Sequence, residues 1–365
     1  MTETMIPSRQ DRAVAFWLLC MCGLVFAMVV LGGVTRLTGS GLSMVAWKPI
    51  TGVLPPLNEA DWQRLFDMYR QSPEFQKVNS HMDVHAFKGI FWLEYLHRVL
   101  GRIIGIAFLL PFVFFAVRGY IGRRAWPKYL LMFVLGGLQG LLGWYMVKSG
   151  LVDVPHVSQY RLTAHLVSAF LIYAYMFWVA LSLLYPAKSM DQGTDRHPWF
   201  GRSLGLTAVV CLTIVSGGFV AGLDAGKIYN TFPMMGSHWL PPGLFALDPF
   251  WRNLFENTTT VQFNHRLLAI ASFCIVVLFW YGARRANLPA RARRGVNAVL
   301  HTTALQVVLG ISTLLLAVPI SLGAAHQAAA LLLLTACLFV VHSLRQSAPS
   351  QAVVETRSEE RLEPA

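Results

Sequence analysis

Apolar residues recur along this chain in eight long runs, at about 14–34, 97–117, 128–147, 160–185, 203–222, 261–283, 297–317 and 324–343. Each approaches the roughly 20 residues that a helix needs to cross a hydrocarbon core, and polar residues cluster between them. The pattern predicts eight transmembrane helices and no sheet. The longest polar stretch runs from Arg36 to about Ile90 and contains NEADWQRLFDMYRQSPEFQKV, whose spacing predicts short interfacial helices. The N-terminal MTETMIPSRQDR is short, carries acids and lacks the Arg- and Ser-rich character of a transit peptide. No small-residue cleavage site follows the first apolar run, so that run is read as a retained span. The polar residues 344–365 are expected to form a disordered cytoplasmic tail.

Composition agrees with the pattern. Residues are 55% hydrophobic and only 13% charged, against about 25% charged in soluble domains. A net charge of +12 would suit nucleic acid, but the bases occupy alternate short loops. Arg118, Arg123, Arg124 and Lys128 form one group, Lys188, Arg196 and Arg202 a second, and Arg284, Arg285, Arg291, Arg293 and Arg294 a third. The loop 223–257 holds only Lys227 and Arg252 as bases, and 318–323 holds none. The positive-inside bias then places both termini in the cytoplasm, with no nucleic-acid partner. The five cysteines (Cys20, Cys22, Cys211, Cys274, Cys337) all fall inside apolar runs. They are expected to be buried small residues and not a disulfide framework or zinc site.

An internal duplication organises the chain. LGGVTRLTGSG carries Gly-Gly at 32–33 and Gly41, and SGGFVAGLDAG carries Gly-Gly at 217–218 and Gly226. Pro55-Pro56 and Pro241-Pro242 follow at almost the same distance. EYLHRVLGRIIGIAF then matches QFNHRLLAIASFCIV, LGGLQGLLGWYMV matches TTALQVVLGISTLLL, and TAHLVSAF matches AAHQAAAL. A repeat of four spans has even parity, so the halves run parallel, related by an axis along the membrane normal. The expected fold is an all-α polytopic membrane protein, eight transmembrane helices as two pseudo-twofold-related four-helix bundles, 14–186 and 203–343.

The duplicated histidines are His97, His165, His265 and His326. With the N-terminus inside, each falls in the first two turns of an even-numbered span, near the outer boundary. Ionisable residues within a membrane are costly and mark function. Two helices that each present an imidazole are the usual means by which a helical bundle holds heme. Zinc would want three or four ligands with Cys or carboxylate help, and copper would recruit Cys or Met. Two pairs suit two tetrapyrroles: His97 with His165, and His265 with His326. Arg98 and Arg266 follow their histidines, and Arg36 closes the first Gly-Gly segment, so all three are candidates for heme propionates. The glycine pairs allow either close helix packing or close approach to a flat ring. His81 and His85 approach the second span and suit at most a transient ligand. His156, His197, His238, His301 and His342 read as boundary residues.

The halves differ at one telling position. Glu94 lies three residues before His97, and its counterpart before His265 is Gln262. A carboxylate beside one ligand only gives that site an acid, a base or a means of stabilising a cation. The N-terminal half is therefore expected to react and the C-terminal half to hold a permanent cofactor.

Over about residues 14–343 the chain resembles the heme A synthase (CtaA) family. GGVTRLTGSGLSM, EFQKVNSHMDVHAFKGIFWLEYLHRVLGR, GGFVAGLDAGKIYNTFPMM and NTTTVQFNHR carry the resemblance. It implies oxidation of the C8 methyl of heme O to a formyl group by successive hydroxylations, giving heme A for terminal oxidases. It implies that His97 and His165 ligate substrate heme O, that His265 and His326 ligate heme b, and that Glu94 is catalytic. No outer-loop cysteine pair is present, so the chain resembles the alphaproteobacterial and mitochondrial class without a thiol relay. Implied partners are heme O, heme O synthase, an electron donor and membrane lipid, with a homo-oligomer left open. The implied location is the bacterial inner membrane with the heme sites toward the outer leaflet. A non-catalytic diheme electron-transfer protein is the alternative, with Glu94 incidental. A transporter with parallel repeats is disfavoured by the lack of charged residues near mid-membrane.

Overall fold

The computed structural model describes residues 7–46, 52, 54–152, 155–186 and 197–345. Ten α-helices run through them: α1 Arg9–Leu37, α2 Glu59–Arg70, α3 Pro73–Lys77, α4 Val84–Val117, α5 Trp126–Lys148, α6 Gln159–Leu184, α7 Phe200–Gly222, α8 Thr258–Arg285, α9 Ala290–Leu315 and α10 Ile320–Ser343. All but α2 and α3 are long and apolar enough to cross a membrane, eight spans among the described residues. Ser8, Asn58, Ser72, Asp83 and Asn257 each accept a backbone N–H at the start of a helix, satisfying donors that the first turn leaves open. The short helices expected in the first outer loop are α2 and α3.

Each apolar run lies on one of the eight spans; α1 begins five residues and α9 seven residues before the expected boundary, and α4 begins thirteen residues before the expected boundary at 97. Asp83 caps it, and Phe87, Phe91 and Tyr95 recur every fourth residue to form one apolar stripe. That stripe packs on Trp62, Phe66 and Tyr69 of α2. The polar residues between these aromatics lower the local hydropathy, which is why the run looked shorter than the helix. At about 1.5 Å per residue the 34 residues of α4 outreach a hydrocarbon core of about 30 Å. Its first third is a pillar for the outer layer. The expected tail at 344–365 is also trimmed, because Leu344 is fully buried against the C-terminal core. Residues 346–365 lie outside the described residues.

Helix α1 packs on α4 and α6, and α5 packs on α4 and α6, closing a ring. Helices α7, α8, α9 and α10 close a second ring in the same order. The rings meet through α1 with α10, α6 with α7, and α6 with α10. Exchanging α1 with α7, α4 with α8, α5 with α9 and α6 with α10 leaves this set of packed pairs unchanged. At the seam, a Cβ on Gly33 would lie 3.0 Å from Gln327 Oε1, and one on Gly218 would lie 2.9 Å from Thr163 Cγ2. The second glycine of each Gly-Gly pair thus admits a side chain of the opposite half. Gln327 uses that opening to donate to the Val29 carbonyl at 2.7 Å.

The cysteine expectation holds for some residues only. Cys22 and Cys337 are buried, but Cys20 and Cys274 are exposed on the outside of the bundle. A thiol is apolar enough to face lipid, so membrane helices place it on either side. All five cysteines are free.

Candidate functional site: four histidines on glycine seats

The four duplicated histidines occupy alternate spans, His97 in α4, His165 in α6, His265 in α8 and His326 in α10. Three lie within about two turns of their helix starts. His97 lies between three and four turns inside α4 (about 3.6 residues per turn), a correction that follows from the early start of that helix.

Each imidazole rests against a glycine of the neighbouring helix. A Cβ would stand 3.0 Å from His97 Cε1 at Gly32, 3.0 Å from His165 Cε1 at Gly143, 3.2 Å from His265 Cε1 at Gly217, and 2.8 Å from His326 Cε1 at Gly310. The first glycine of each Gly-Gly pair therefore seats a ring, while the second serves the seam. Gly143 and Gly310 were missed as site residues in the sequence. They stand in register in the duplicated segments LGGLQGLLGWYMV and TTALQVVLGISTLLL, so the signal was there.

The ring nitrogens are satisfied unequally. His265 Nδ1 lies 2.7 Å from Ser216 Oγ, and that hydroxyl donates to the Thr213 carbonyl at 2.7 Å. Its proton is thereby spent, so Ser216 accepts from Nδ1–H and leaves Nε2 of His265 with its lone pair. Gln139 Nε2 lies 3.2 Å from His165 Nδ1 and donates to the His165 carbonyl at 2.8 Å, while Ser168 donates to Gln139 Oε1 at 2.5 Å. Those contacts hold the His165 ring by its Nδ1 edge. Gln306 Nε2, the duplicated amide, lies 3.5 Å from His326 Nε2. The Nδ1 atoms of His97 and His326 are buried without a hydrogen-bond partner. An Nδ1 without a partner leaves the ring proton free to sit on either nitrogen.

The residues beside the histidines build the outer rim. Glu94 is buried; it accepts from Ser43 Oγ at 2.7 Å, from Met44 N–H at 2.7 Å and from Arg98 at 2.5 Å. Arg98 also donates to the carbonyls of Met44 and Ala46. In the other half, Arg266 donates to the carbonyls of Tyr229, Thr231 and Met234, and Gln262 donates to Tyr229. Both arginines therefore hold interhelical loops by their carbonyls. Ser43, Met44 and Tyr229, the loop partners, were missed as site residues although all three lie within the motifs that carry the family resemblance. Arg36 donates to the Ala221 carbonyl and pairs with Asp224 at 3.3 Å, across the seam. Its guanidinium is committed to the opposite half.

Among the described residues no three His, Cys, Asp or Glu side chains converge as a metal site. Two imidazoles from neighbouring helices are a donor pattern by which helical bundles hold heme. The sequence matches the COX15-CtaA family, described as cytochrome oxidase assembly protein, over residues 15–338. The chain belongs to the COX15-CtaA family. Among its relatives, the protein named heme A synthase of Nitrosospira multiformis is 54% identical over 347 residues, 93% of this chain and 98% of that protein. The heme A synthase of Nitrosomonas eutropha is 50% identical over 338 residues, 92% and 95% of the two chains. Heme A synthase COX15 of Arabidopsis thaliana is 47% identical over 349 residues, covering 93% of this chain and 76% of that one.

The other histidines of this COX15-CtaA member separate clearly. His81, His85, His156, His238 and His301 are exposed. His342 lies at the end of α10, at the boundary of its span, and is buried by protein there. Arg291 meets its Nδ1 at 2.9 Å, Ser182 its Nε2 at 3.2 Å, and Trp178 packs edge-on against the ring. It joins α6, α9 and α10 at the end of the bundle away from the four seated rings.

Proposed function

We propose that this chain is a heme A synthase, an oxidoreductase that converts the C8 methyl of heme O to a formyl group for cytochrome oxidase. The four imidazoles on glycine seats, paired within two duplicated rings, carry this reading together with the family membership. The conversion adds one oxygen and removes two hydrogens, a four-electron oxidation. Two hydroxylations at the same carbon give a diol that loses water to leave the formyl group.

The N-terminal ring, 14–186, is the substrate half, with His97 and His165 facing heme O. Glu94 is its reactive carboxylate, and this chain's own Arg98, Ser43 and Met44 orient it. In the C-terminal ring, 203–343, His265 and His326 are the residues that would hold heme b, which supplies electron transfer when bound. Arg98 and Arg266 serve both sites by fixing the outer loops over them. The basic loops after α4, α6 and α8 favour both termini in the cytoplasm of a bacterial cell and the heme sites toward the outer leaflet. The reaction needs heme O synthase as donor of substrate, dioxygen as oxidant and a separate electron donor, because each hydroxylation takes up one O2, two electrons and two protons and releases one water.

Heme extraction and mass analysis test the reading. Cells that make heme O should gain, with this protein, a species with one more oxygen and two fewer hydrogens. Glu94→Gln should lose that species and keep heme b. Heme b bound with heme O unchanged, in the presence of a reductant, would support the electron carrier instead.

A further inference from the structure

Three hydroxyls lie in a row behind His265. Ser272 on α8 meets Thr213 Oγ1 at 2.7 Å, Thr213 donates onward to the Val209 carbonyl at 2.9 Å, and Ser216 donates to the Thr213 carbonyl. Ser216 is the member that touches the ring, at Nδ1. The duplication identifies the counterparts in the substrate half. Thr213 and Ser216 align with Met28 and Leu31 by the Gly-Gly register, and Ser272 aligns with Ile104 by the histidine register. Every hydroxyl of the row is replaced by an apolar side chain, and His97 Nδ1 is left without a partner. Two equivalent rings on equivalent glycines thus differ in what stands behind them.

We infer that Ser216 is the positioning residue that makes the C-terminal half a permanent heme site, and that Leu31 at its counterpart leaves the N-terminal half exchangeable. The inference rests on the assignment of heme b to the C-terminal half. An acceptor at Nδ1 holds the imidazole in one tautomer and one orientation, with Nε2 as the ligating atom, and strengthens it as a ligand. Without an acceptor the ring gains nothing from either tautomer and turns on its glycine seat more freely. A ligand for a substrate that must leave as product benefits from that freedom; a ligand for a resident cofactor does not.

The test uses the full-length protein in detergent or lipid. Ser216→Ala should lose heme b to apomyoglobin about 10- to 100-fold faster than wild type. Its low-spin electron paramagnetic resonance signal and midpoint potential should both shift, and Ser216→Thr should restore them. A purely structural role for Ser216 would leave signal and potential in place. Leu31→Ser should make the opposite change, slowing release of heme added to the N-terminal half about tenfold. This second variant carries the test should Ser216→Ala fail to accumulate. Unchanged heme b loss, signal and potential in Ser216→Ala, or unchanged release in Leu31→Ser, overturns the inference while leaving heme b in its place. A wild-type protein that holds no heme b overturns the assignment beneath it.

Discussion

The two rings share a plan and differ in their chemistry. Both place an imidazole against the first glycine of a Gly-Gly pair and use the second for the seam. Both follow that histidine with an arginine that holds an interhelical loop by its carbonyls. In the N-terminal ring the neighbour one turn earlier is a carboxylate, Glu94, and Nδ1 of the histidine has no hydrogen-bond partner. In the C-terminal ring the neighbour is an amide, Gln262, and the space behind is hydroxylic. The lesson is that a duplicated scaffold supplies position, while single substitutions around it supply function. The seat is common property; the acid and the anchor each belong to one half.

That comparison can be broken most severely at the seats. Gly32→Val and Gly217→Val would each drive a branched side chain into an imidazole about 3 Å away, so each should empty its own half of heme. Gly217→Val is expected to abolish heme b binding and Gly32→Val to abolish turnover with heme b retained, measured by heme content and product formation. Loss of both hemes from either variant would mean that the rings do not work as separate sites.

A smaller effect is expected from Gln262→Glu, which gives the C-terminal half the carboxylate of its partner. Arg266 stands four residues on, as Arg98 does from Glu94, so the new charge has a guanidinium within reach. Heme b should remain, its midpoint potential should fall because a nearby negative charge favours the oxidised iron, and heme O conversion should drop several-fold at most. A variant without turnover would show that the amide itself is required.

The outer layer over α4 has no described counterpart of the same build in the C-terminal half, and it carries a titration of its own. Burial pushes the Glu74 carboxyl up to about 7 from its ordinary 4.5, against the lowering effect of its hydrogen bond from Tyr69. A raised pKa means that the folded state binds the proton more tightly than the unfolded chain does. Its contribution to stability is therefore full below about pH 4.5 and is lost as the pH rises through about 7. Hydrogen exchange in α2 and α3 should quicken over that window, and Glu74→Gln should flatten the dependence. The same slope in Glu74→Gln would place the titrating group elsewhere.

The smallest effect is expected at the seam. Burial works to raise the Asp224 carboxyl, but Arg36 and Lys227 outweigh it and hold it below its ordinary value. Both partners are partly exposed, with 26% and 42% of their side chains accessible, so screening limits the pair to about 1 kcal/mol or less. Arg36→Ala should lower the thermal midpoint by a few degrees, less at high salt, and leave heme content unchanged. Heme loss in that variant would return Arg36 to the propionate role.

Much of this was legible in the sequence because membrane crossing imposes a length and a polarity that a linear pattern can display. Eight apolar runs gave eight spans, and the duplicated His-Arg and Gly-Gly motifs pointed to the paired histidines. The early start of α4 was hidden because its first turns are buried by α2 and not by lipid, so the pattern there is a stripe and not a run. The loop carbonyls that Arg98 and Arg266 hold were not legible, because nothing local says that they will reach the guanidinium groups.

What the sequence determined by itself is the number of spans, the duplicated motifs and the chemical difference between Glu94 and Gln262. All three follow from residue identity and local periodicity. Which glycine seats a ring and which serves the seam was decided only by tertiary structure, as were the hydroxyl behind His265 and the missing partner behind His97. A hydrogen bond or a close approach depends on the relative placement of two helices to within about an ångström. That placement belongs to the packed bundle, and no single helix encodes it.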